Sequence, residues 1–483
     1  MPEINEMRKQ FSNGQWKKFV SKITIDKLRG WENQSVNFRF PICAIVGENG
    51  SGKSTILRAS VCAYQNTLQD AKTFYPSQLF LATNWDKMSV PRGTALTYEI
   101  KQGDQTITSR WKKTTGWGYS PKSKKPKRDI VFLDVSRTLP LDATAGYAKI
   151  AKSSVKALGT VDIDVNLMKA YSDIMGCDYL SARFIQPVVR REIGLSTRNF
   201  GEISQFHQGA GEDSLLDLMQ ILQTIPDTAL LVIDEIDASL HPKAQRRLIR
   251  FLIKLARQKK LQIIISTHSP YIFDEIPPEG RILIQKLSNG SKDIQYSVST
   301  NYALGQIDDE KHPDLYIYVE DKEAKTLLYE IIKNDTEIIS RIEIKIVGDN
   351  EVVKTLGKLC RNNKLPDKGI AFLDGDMQDA NENCFSLPSN KAPELVVFGD
   401  LKAKNWNGLD ARFGQGAGNL YSIFDDAITA VDHHDFTIRI GDRLGKSADY
   451  VWNLFVEEWC KQCLDPNDKN RIITNIKDAL AQV

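Results

Sequence analysis

The sequence has no run of about eighteen consecutive apolar residues, the length that a membrane-spanning helix needs. The first residues, MPEINEMRKQFSNGQW, include no apolar segment typical of a secretory signal and have no transit-peptide character. Cysteine is scarce: the seven cysteines are odd in number and dispersed, which argues against a disulfide framework and for a reducing compartment. These absences predict a cytoplasmic protein with no membrane contact.

The sequence also has no large excess of positive or negative charge, since its net charge is only +3 over 483 residues. Any contact with nucleic acid must therefore come from a local patch rather than from the whole molecule. The length suggests roughly three domain-sized units. Cys460 and Cys463 form a lone C-x-x-C without a second pair, so we expect them on a helix face rather than at a zinc ion.

The most informative motif of the sequence is a glycine-rich stretch at residues 47–55. The apolar run Ile42–Val46 leads into GENGSGKST, and a helical pattern follows at once. Strand, glycine loop and helix in this order are the context of a P-loop, in which backbone N–H groups cradle phosphates. Lys53 then reaches the β- and γ-phosphates and Ser54 offers its hydroxyl to Mg²⁺. The sequence predicts a site for a nucleoside triphosphate, with ATP as the cofactor, made by Asn49, Gly50, Ser51, Gly52, Lys53, Ser54 and Thr55.

Two further apolar runs end in chemically useful side chains. Ala229–Ile233 is followed by Asp234 and Glu235, and the continuous apolar pattern predicts a strand buried on both faces of a parallel sheet. We expect Asp234 to hold Mg²⁺ and Glu235 to position or deprotonate the attacking water. The run Leu261–Ile265 leads to His268, which can donate to a γ-phosphate oxygen.

A stretch between residues 110 and 128 interleaves basic and aromatic side chains. Such a pattern suits a loop that grips phosphates and stacks bases, and it equally suits a solvated loop whose lysines only maintain solubility. The hairpin signal Gly103-Asp104 precedes it. The candidate nucleic-acid contacts are Arg110, Trp111, Lys112, Lys113, Lys124, Lys125, Lys127 and Arg128.

Together these motifs resemble ABC-type ATPases, including the SMC and RecF relatives and the OLD (overcoming lysogenisation defect) family. The Walker A loop, D-E after an apolar strand, D-A-S-L-H-P and S-T-H-S-P carry the resemblance. It implies two heads that sandwich two nucleotides, hence a homodimer or higher oligomer. The signature loop that caps the opposite nucleotide corresponds to residues 208–212 with Gly211, although the usual Ser before Gly-Glu is absent.

The C-terminal third of the sequence suggests a second catalytic site, separate from the nucleotide site. Leu315–Val319 is a predicted strand that ends at Glu320, and Gly369–Leu373 is another that ends at Asp374-Gly375-Asp376. Strands alternating with helices imply a small parallel sheet with these carboxylates at one edge. Such an oxygen-rich set suits Mg²⁺ or Mn²⁺, which activates water at a phosphodiester.

This arrangement resembles the TOPRIM fold of topoisomerases, primases and OLD-family nucleases. The resemblance implies that Glu320 acts as acid or metal ligand and that Asp374 and Asp376 bind metal, with Lys391 stabilising the transition state and Glu394 adding a ligand. Where the family has an acid four places after Glu320, this chain has Ala324. Asp321 or Glu323 would have to substitute for a second metal.

The expected fold class is α/β: an ABC-type P-loop ATPase head with an antiparallel β layer and a helical insertion, then a C-terminal TOPRIM α/β domain. The predicted bounds are 1–310 for the ATPase domain, about 140–215 for its insertion, 311–400 for the TOPRIM core and 401–483 for a mainly helical extension. His433 and His434 resemble metal ligands in composition, but adjacent residues are not expected to converge, so we predict a polar loop.

The predicted function is an ATP-regulated, metal-dependent DNA endonuclease, similar to OLD-family and Gabija-type nucleases of phage defence. The resemblance implies DNA as substrate and, as partners, a helicase or a reverse transcriptase with its DNA–RNA product. Two alternatives stay open: a RecF/SMC-like DNA-binding ATPase with a non-catalytic TOPRIM domain, favoured by Ala324, and a nucleotide-sensing scaffold, favoured by the altered signature loop.

Overall fold

The chain folds into two compact units, residues 1–307 and residues 308–483. The computed structural model describes residues 2–68, 73–81, 83, 85, 90–121, 125–135, 157–187, 192–287, 290–308, 312–377, 384–414 and 416–481. No helix among these residues has both the length and the apolar character needed to cross a bilayer.

The first unit is rich in strands. In chain order they are β1 (Lys18–Asp26), β2 (Gln34–Asn37), β3 (Ile42–Val46), β4 (Gln65–Asn66), β5 (Ala95–Gln102), β6 (Gln105–Lys113), β7 (Trp117–Ser120), β8 (Lys127–Arg128), β9 (Ile130–Leu133), β10 (Ala157–Asp162), β11 (Ser181–Pro187), β12 (Ile193–Arg198), β13 (Gly201–Ser204), β14 (Leu230–Ile233), β15 (Gln262–Ser266), β16 (Arg281–Lys286) and β17 (Lys292–Tyr296).

The α-helices of this unit lie between these strands. They are α1 (Pro2–Ser12), α2 (Lys53–Val61), α3 (Pro76–Leu79), α4 (Val165–Met175), α5 (Ala210–Thr224), α6 (Pro242–Lys259), α7 (Pro270–Glu275) and α8 (Thr300–Gly305).

The central sheet has the order β17-β16-β3-β15-β14-β9. All neighbouring pairs run parallel except β16 and β17. Every residue of β3, β14 and β15 is buried, which confirms the reading of these apolar runs as strands covered on both faces. Because β15 separates β3 from β14, the carboxyl ends of three consecutive strands meet at one edge of the sheet.

The predicted antiparallel layer is present as a five-stranded sheet in the order β2-β1-β5-β6-β7. The Gly103-Asp104 turn joins β5 to β6, with Gln102 opposite Gln105, as the hairpin signal predicts. The alternation of β1 places Val20, Ile23 and Ile25 in the core. This layer packs with the central sheet around one hydrophobic core.

The insertion predicted to be mainly helical is different. Its described part contains α4, a short 3-10 helix at Gln205–His207, the start of α5 and a four-stranded antiparallel sheet in the order β10-β11-β12-β13. Ala182 and Phe184 of β11 face the core. The buried positions of β12 are Gly194 and Ser196. Small and polar inward residues weaken the apolar alternation that marks a strand, and the helical prediction is therefore wrong here.

The second unit alternates strands and helices and then becomes helical. Its strands are β18 (Leu315–Val319), β19 (Ile342–Ile346), β20 (Gly369–Leu373) and β21 (Phe385–Ser386), and its helices are α9 (Lys322–Ile332), α10 (Thr336–Ile339), α11 (Asn350–Arg361), α12 (Pro393–Ala403), α13 (Leu409–Phe413), α14 (Ala417–Ala427), α15 (Asp435–Leu444), α16 (Ala448–Gln462) and α17 (Pro466–Ala481).

The four strands form a parallel sheet in the order β19-β18-β20-β21. The chain leaves β18 toward β19 on one side and returns to β20 on the other, so β18 and β20 flank the point where the strand order reverses. Ligands of open α/β sheets bind outside the carboxyl ends of strands at such a point. The unit has a core of its own, in which Phe398, Trp406, Phe424 and Phe455 cluster.

Candidate functional sites

The P-loop connects β3 to α2, as the sequence predicts. Gly47 has φ +152°, and a Cβ there would overlap the carbonyl oxygen of Ile284. Gly52 has φ +106°, and its Cβ would lie 2.6 Å from Nε1 of Trp31. Both positions therefore require glycine, because the backbone is left-handed and space is absent. Ser54 and Thr55 lie in the first turn of α2, where N–H groups point toward an anion.

Lys53 is buried and closes the loop on itself. Its Nζ donates to the carbonyl oxygens of Gly47 at 2.7 Å and Glu48 at 2.9 Å. Burial lowers the pKa of Lys53, and the carboxylates of Asp234 and Glu235 oppose that effect. The ammonium group thus lies in the field of the acids that end β14.

Two buried donors at the loop have no hydrogen-bond partner, namely the hydroxyl of Ser51 and Nε1 of Trp31. A buried polar group without a partner costs about 1–3 kcal/mol, and phosphate oxygens are acceptors. The loop therefore fits a bound phosphate chain. Sequence reasoning missed Trp31, because a lone tryptophan upstream of a P-loop carries no signal.

The side chain of Ser266 orders the acidic end of β14. Its Oγ donates to Oδ1 of Asp234 and accepts the backbone N–H of Glu235 at 2.8 Å. Glu235 has φ +50°, which is rare for a residue other than glycine and marks a constrained turn. Next to it, Thr267 Oγ1 donates to Oδ1 of Asp237 at 2.6 Å. The strand that ends at Ser266 thus orients Asp234, the predicted magnesium ligand, and Glu235, the predicted catalytic acid.

His268 lies at the same edge. Burial lowers its pKa first, and the nearby Lys53 lowers it further, while Asp237 and Glu235 oppose this. Lys53, Asp234, Glu235 and His268 thus share one electrostatic neighbourhood, as the three motifs predict. A neutral imidazole beside a phosphate is a hydrogen-bond donor that adds no charge.

The candidate signature loop opens α5. A Cβ on Gly211 would overlap the carbonyl oxygen of Ser239, so the backbone of this loop lies directly on the segment after Asp234-Glu235. Glu212 caps the helix by accepting the N–H of Gly209 at 3.3 Å. The contact of Gly211 with a nucleotide on another chain remains a prediction.

The stretch predicted as a nucleic-acid loop is largely ordered sheet. Arg110 to Lys113 lie in β6, which pairs with β7. Trp111 is buried and its Nε1 donates to the carbonyl of Cys62 at 3.1 Å, so it cannot stack on a base. Lys113 Nζ donates to the carbonyl of Val90 at 2.6 Å.

Arg128 is fully buried and serves as a structural residue. It donates to the carbonyl of Thr228 at 2.7 Å and to Oε1 of Gln262 at 2.8 Å. The prediction of a nucleic-acid role is therefore wrong for Trp111 and Arg128. Lys125 lies over the rings of Trp111 and Tyr75, and burial lowers its pKa to about 8. Arg110, Lys112 and Lys127 are exposed, and Lys124 lies outside the described residues.

The second unit gathers acids at the reversal point of its sheet. Glu320 follows β18, and Asp374 and Asp376 follow β20. Asp374 is buried, and its Oδ1 has no hydrogen-bond partner. Burial first, and then the carboxylates of Asp321, Glu320 and Asp376, raise the pKa of Asp374 to about 8. Burial and the carboxylates of Asp321 and Asp376 likewise raise the pKa of Glu320. This acidic site fits a divalent cation, which would neutralise the repulsion.

The loop of Asp374-Gly375-Asp376 lies against the segment 388–391. A Cβ on Gly375 would come within 2.6 Å of the carbonyl oxygen of Ser389 and 2.9 Å of that of Lys391. The side chain of Lys391 is exposed. Its predicted contact with a reacting phosphate stays a prediction. Ala324 is buried in α9, and Asp321 caps this helix by accepting the N–H of Ala324 at 2.7 Å.

A different trio comes together as potential metal ligands. Glu394, His433 and His434 have ligand atoms that all lie within 4.8 Å of one another. Among the described residues, this is the group of three or more His, Cys, Asp or Glu side chains that meets this distance. Glu320, Asp374 and Asp376 do not form such a set. The prediction that the two histidines do not converge is therefore wrong, because the turn that leads into α15 brings their ring centroids to 4.1 Å of each other.

Comparison with known proteins concerns the first unit. Residues 89–274 match the family described as "AAA domain, putative AbiEii toxin, Type IV TA system", and residues 22–74 match a family described as "AAA domain". No curated protein matches the chain.

Three solved structures are among those that resemble part of the chain. The SMC head domain from Thermotoga maritima is 16% identical, with a TM-score of 0.34 over 57% of this chain and 98% of that one. An SmcHead bound to the C-winged helix domain of ScpA is 17% identical, with a TM-score of 0.38 over 59% and 99%. The Smc head domain with an extended coiled coil bound to the C-terminal domain of ScpA, derived from Pyrococcus furiosus, is 12% identical, with a TM-score of 0.39 over 60% and 98%.

The two matched segments contain the P-loop, the strand that ends at Asp234-Glu235 and the strand that leads to His268. These residues lie together at the carboxyl edge of the central sheet, where a P-loop domain binds its nucleotide. The first unit therefore carries an AAA-type P-loop ATPase domain.

Proposed function

We propose that the protein is an ATP-regulated, divalent-metal-dependent nuclease that hydrolyses phosphodiester bonds of DNA in its second unit. The observation that carries this proposal is the acidic site at the reversal point of the β18–β20 sheet. There, a buried carboxylate oxygen of Asp374 lacks a partner while other carboxylates crowd it. Such a site is unfavourable without a cation and well suited to one with oxygen ligands.

Glu320, Asp374 and Asp376 would hold Mg²⁺ or Mn²⁺ in this site. A bound divalent ion supplies an activated water and stabilises charge on a phosphodiester. The protein's own residues position the site: Gly375 lets the loop lie on residues 388–391, and Asp321 fixes the start of α9. The exposed Lys391 follows that contact and is available to a phosphate from solvent.

The ATPase domain supplies the regulation in this proposal. Lys53, Ser51 and Trp31 would bind the phosphates, Asp234 would hold Mg²⁺ with Ser54, and Glu235 would orient the water. Gly211 lies on the segment that follows Glu235, so nucleotide binding at the P-loop would be transmitted to the start of α5. ATP-driven association of two such domains would then control access of DNA to the acidic site.

The test is cleavage of supercoiled plasmid by the full chain with Mg²⁺ or Mn²⁺, with and without ATP. Asp374→Asn keeps the shape of the side chain but removes a charge, and we expect it to abolish nicking. Asp478→Asn, an exposed carboxylate on α17, is the matched control and should cut like the parent. Lys53→Ala should alter the response to ATP without touching the acidic site. Unchanged cleavage by Asp374→Asn would refute the proposal.

A second candidate is a DNA-binding ATPase whose second unit does not cut. Two observations favour it: Ala324 is buried where a further acid would be needed, and Glu320, Asp374 and Asp376 do not come within 4.8 Å of one another as a set. ATP hydrolysis by the parent protein without nicking under any metal, together with DNA binding in gel-shift assays, would favour this candidate.

The biological setting we propose is phage defence, with DNA as the target. The support is the resemblance of the paired ATPase and acidic motifs to OLD-family and Gabija-type nucleases. A plaque assay that compares the parent with Asp374→Asn and Lys53→Ala tests it: equal phage titres on all three strains would remove the defence role. Co-purification would test a helicase or a reverse transcriptase with its DNA–RNA product as partner.

A further inference from the structure

The Glu394–His433–His434 cluster lies where two helices begin. Glu394 is in the first turn of α12, which starts at Pro393, and His434 is the residue before α15. His433 precedes it in the same turn, and the N–H of His434 donates to Oδ1 of Asp432 at 3.0 Å. Two separate stretches of chain thus bring one carboxylate and two imidazoles to one point.

Glu394 is 2% exposed, which is unusual for a glutamate. One of its oxygens, Oε1, lies 2.8 Å from Nδ1 of His434. The other, Oε2, is buried and has no hydrogen-bond partner. Burying a carboxylate is costly unless both oxygens are satisfied, so this oxygen calls for a cation or a donor.

The distances suit a metal ion. The ligand atoms of the three side chains lie within 4.8 Å of one another. Ligands of a tetrahedral zinc ion, each about 2.0–2.2 Å from the metal, are roughly 3.3–3.5 Å apart, which small side-chain rotations would reach here. The rings of His433 and His434 lie 4.1 Å apart between centroids, with their planes tilted by 37°.

The ligand chemistry distinguishes this cluster from the acidic site. Two imidazoles and one carboxylate suit Zn²⁺ and neighbouring transition metals, whereas Mg²⁺ prefers oxygen ligands. Three protein ligands leave a fourth position open, an arrangement found where a metal binds water or substrate. His434 is 58% exposed, so solvent reaches this position.

We propose that Glu394, His433 and His434 form a binding site for a divalent transition metal of the Zn²⁺ class. The site goes beyond the proposed nuclease function. It uses none of Glu320, Asp374 and Asp376, but it takes Glu394, which the TOPRIM resemblance assigns to the acidic site, and Glu394 and His434 lie within electrostatic reach of Asp374 and Glu320. In the second unit it would hold a metal by two nitrogens and one oxygen beside a site made of oxygen ligands alone.

Metal binding by the full chain tests the proposal. After treatment with chelator and its removal, the protein is titrated with Zn²⁺ by calorimetry and with Co²⁺ by visible absorption. We expect one tight site per chain, with the d–d spectrum of nitrogen and oxygen ligands, that a large excess of Mg²⁺ does not displace. His433→Ala and His434→Ala should each weaken affinity by more than about tenfold, since even groups that only orient a metal ligand contribute about 10–100-fold.

His312→Ala is the matched control, because this histidine of the same unit pairs with Asp308 at 3.1 Å and is not one of the three clustered residues. It should bind Zn²⁺ like the parent protein. Glu394→Gln tests the third ligand. Because Glu394 is buried, this variant could fail to fold, and the two histidine variants then decide the test. Unchanged affinity in both histidine variants, or a thiolate-to-cobalt charge-transfer band, would overturn the proposal, the latter by assigning the metal to cysteines.

Discussion

Replacement of Arg128 by methionine separates a structural from a nucleic-acid role for the basic stretch. Arg128 is fully buried and donates to the carbonyls of Thr228 and Ala229 and to Oε1 of Gln262. Methionine fills similar space but donates nothing. We expect the variant to be clearly less stable, with no change in intrinsic affinity for DNA.

The size of the effect follows from these partners. The carbonyl of Ala229 also accepts the N–H of Gln262 at 3.1 Å, and Oε1 of Gln262 also accepts the N–H of Val20 at 2.9 Å. Thr228 is thus the acceptor most affected. One orphaned buried carbonyl costs about 1–3 kcal/mol, and lost charge-assisted bonds add about 1.5–3 kcal/mol each. Removing a desolvated charge offsets part of this, and burial does lower the pKa of Arg128.

We therefore expect a net loss of about 2–4 kcal/mol in the free energy of unfolding. For a unit of residues 1–307 that corresponds to a fall in Tm of roughly 3–6 °C. Thermal unfolding by calorimetry and salt-dependent DNA binding are measured for Arg128→Met and for Lys127→Met, its exposed neighbour. Lys127→Met should keep the parental Tm. A parental Tm for Arg128→Met together with a loss of DNA affinity would refute the structural assignment.

Three further predictions concern other parts of the chain. Lys53→Met should abolish the rise in Tm that ATP gives the parent, because Nζ no longer reaches the phosphates; a preserved shift would contradict the P-loop assignment. Burial lowers the pKa of Lys125 from 10.5 to about 8, so Lys125→Met should be more stable at neutral pH by about 2–3 kcal/mol. The parent gains stability as pH rises from about 8 to 10.5, since its folded state releases this proton first, and the difference in unfolding free energy between parent and variant should shrink over that window. Denaturant titrations that show a constant difference from pH 8 to 10.5 would contradict the prediction. Gly375→Ala should cost about 1–3 kcal/mol and weaken Mg²⁺-induced stabilisation, because its Cβ meets the Ser389 carbonyl at 2.6 Å, whereas Gly399→Ala, with open space around it, should cost little.

The sequence predicts those parts of the fold in which one strong signal suffices. The strands β3, β14 and β15 are continuous apolar runs, and burial on both faces makes such runs necessary. The acids and the histidine that follow them need no further information, because parallel strands end at one edge. The same reasoning places Glu320 and Asp374 beside each other in the second unit.

The sequence fails where composition does not reveal which side of an element a residue occupies. Trp111 and Arg128 have the composition of a nucleic-acid patch, but β6 and β8 direct both inward. The insertion hides its strands because Gly194 and Ser196 stand at inward positions. His433 and His434 converge with Glu394 only through the packing of α12 against the turn before α15, which no local pattern encodes.

The backbone contact between Gly211 and Ser239 has a mechanical consequence. Gly211 has no side chain, so its backbone lies directly on the carbonyl of Ser239, and a side chain at this position would push the two segments apart. A displacement of the segment after Glu235 therefore reaches the first turn of α5 with no side chain in between to absorb it. Because α5 has fifteen residues and is about 22 Å long, a tilt of its first turn moves its far end at Thr224 by a larger distance.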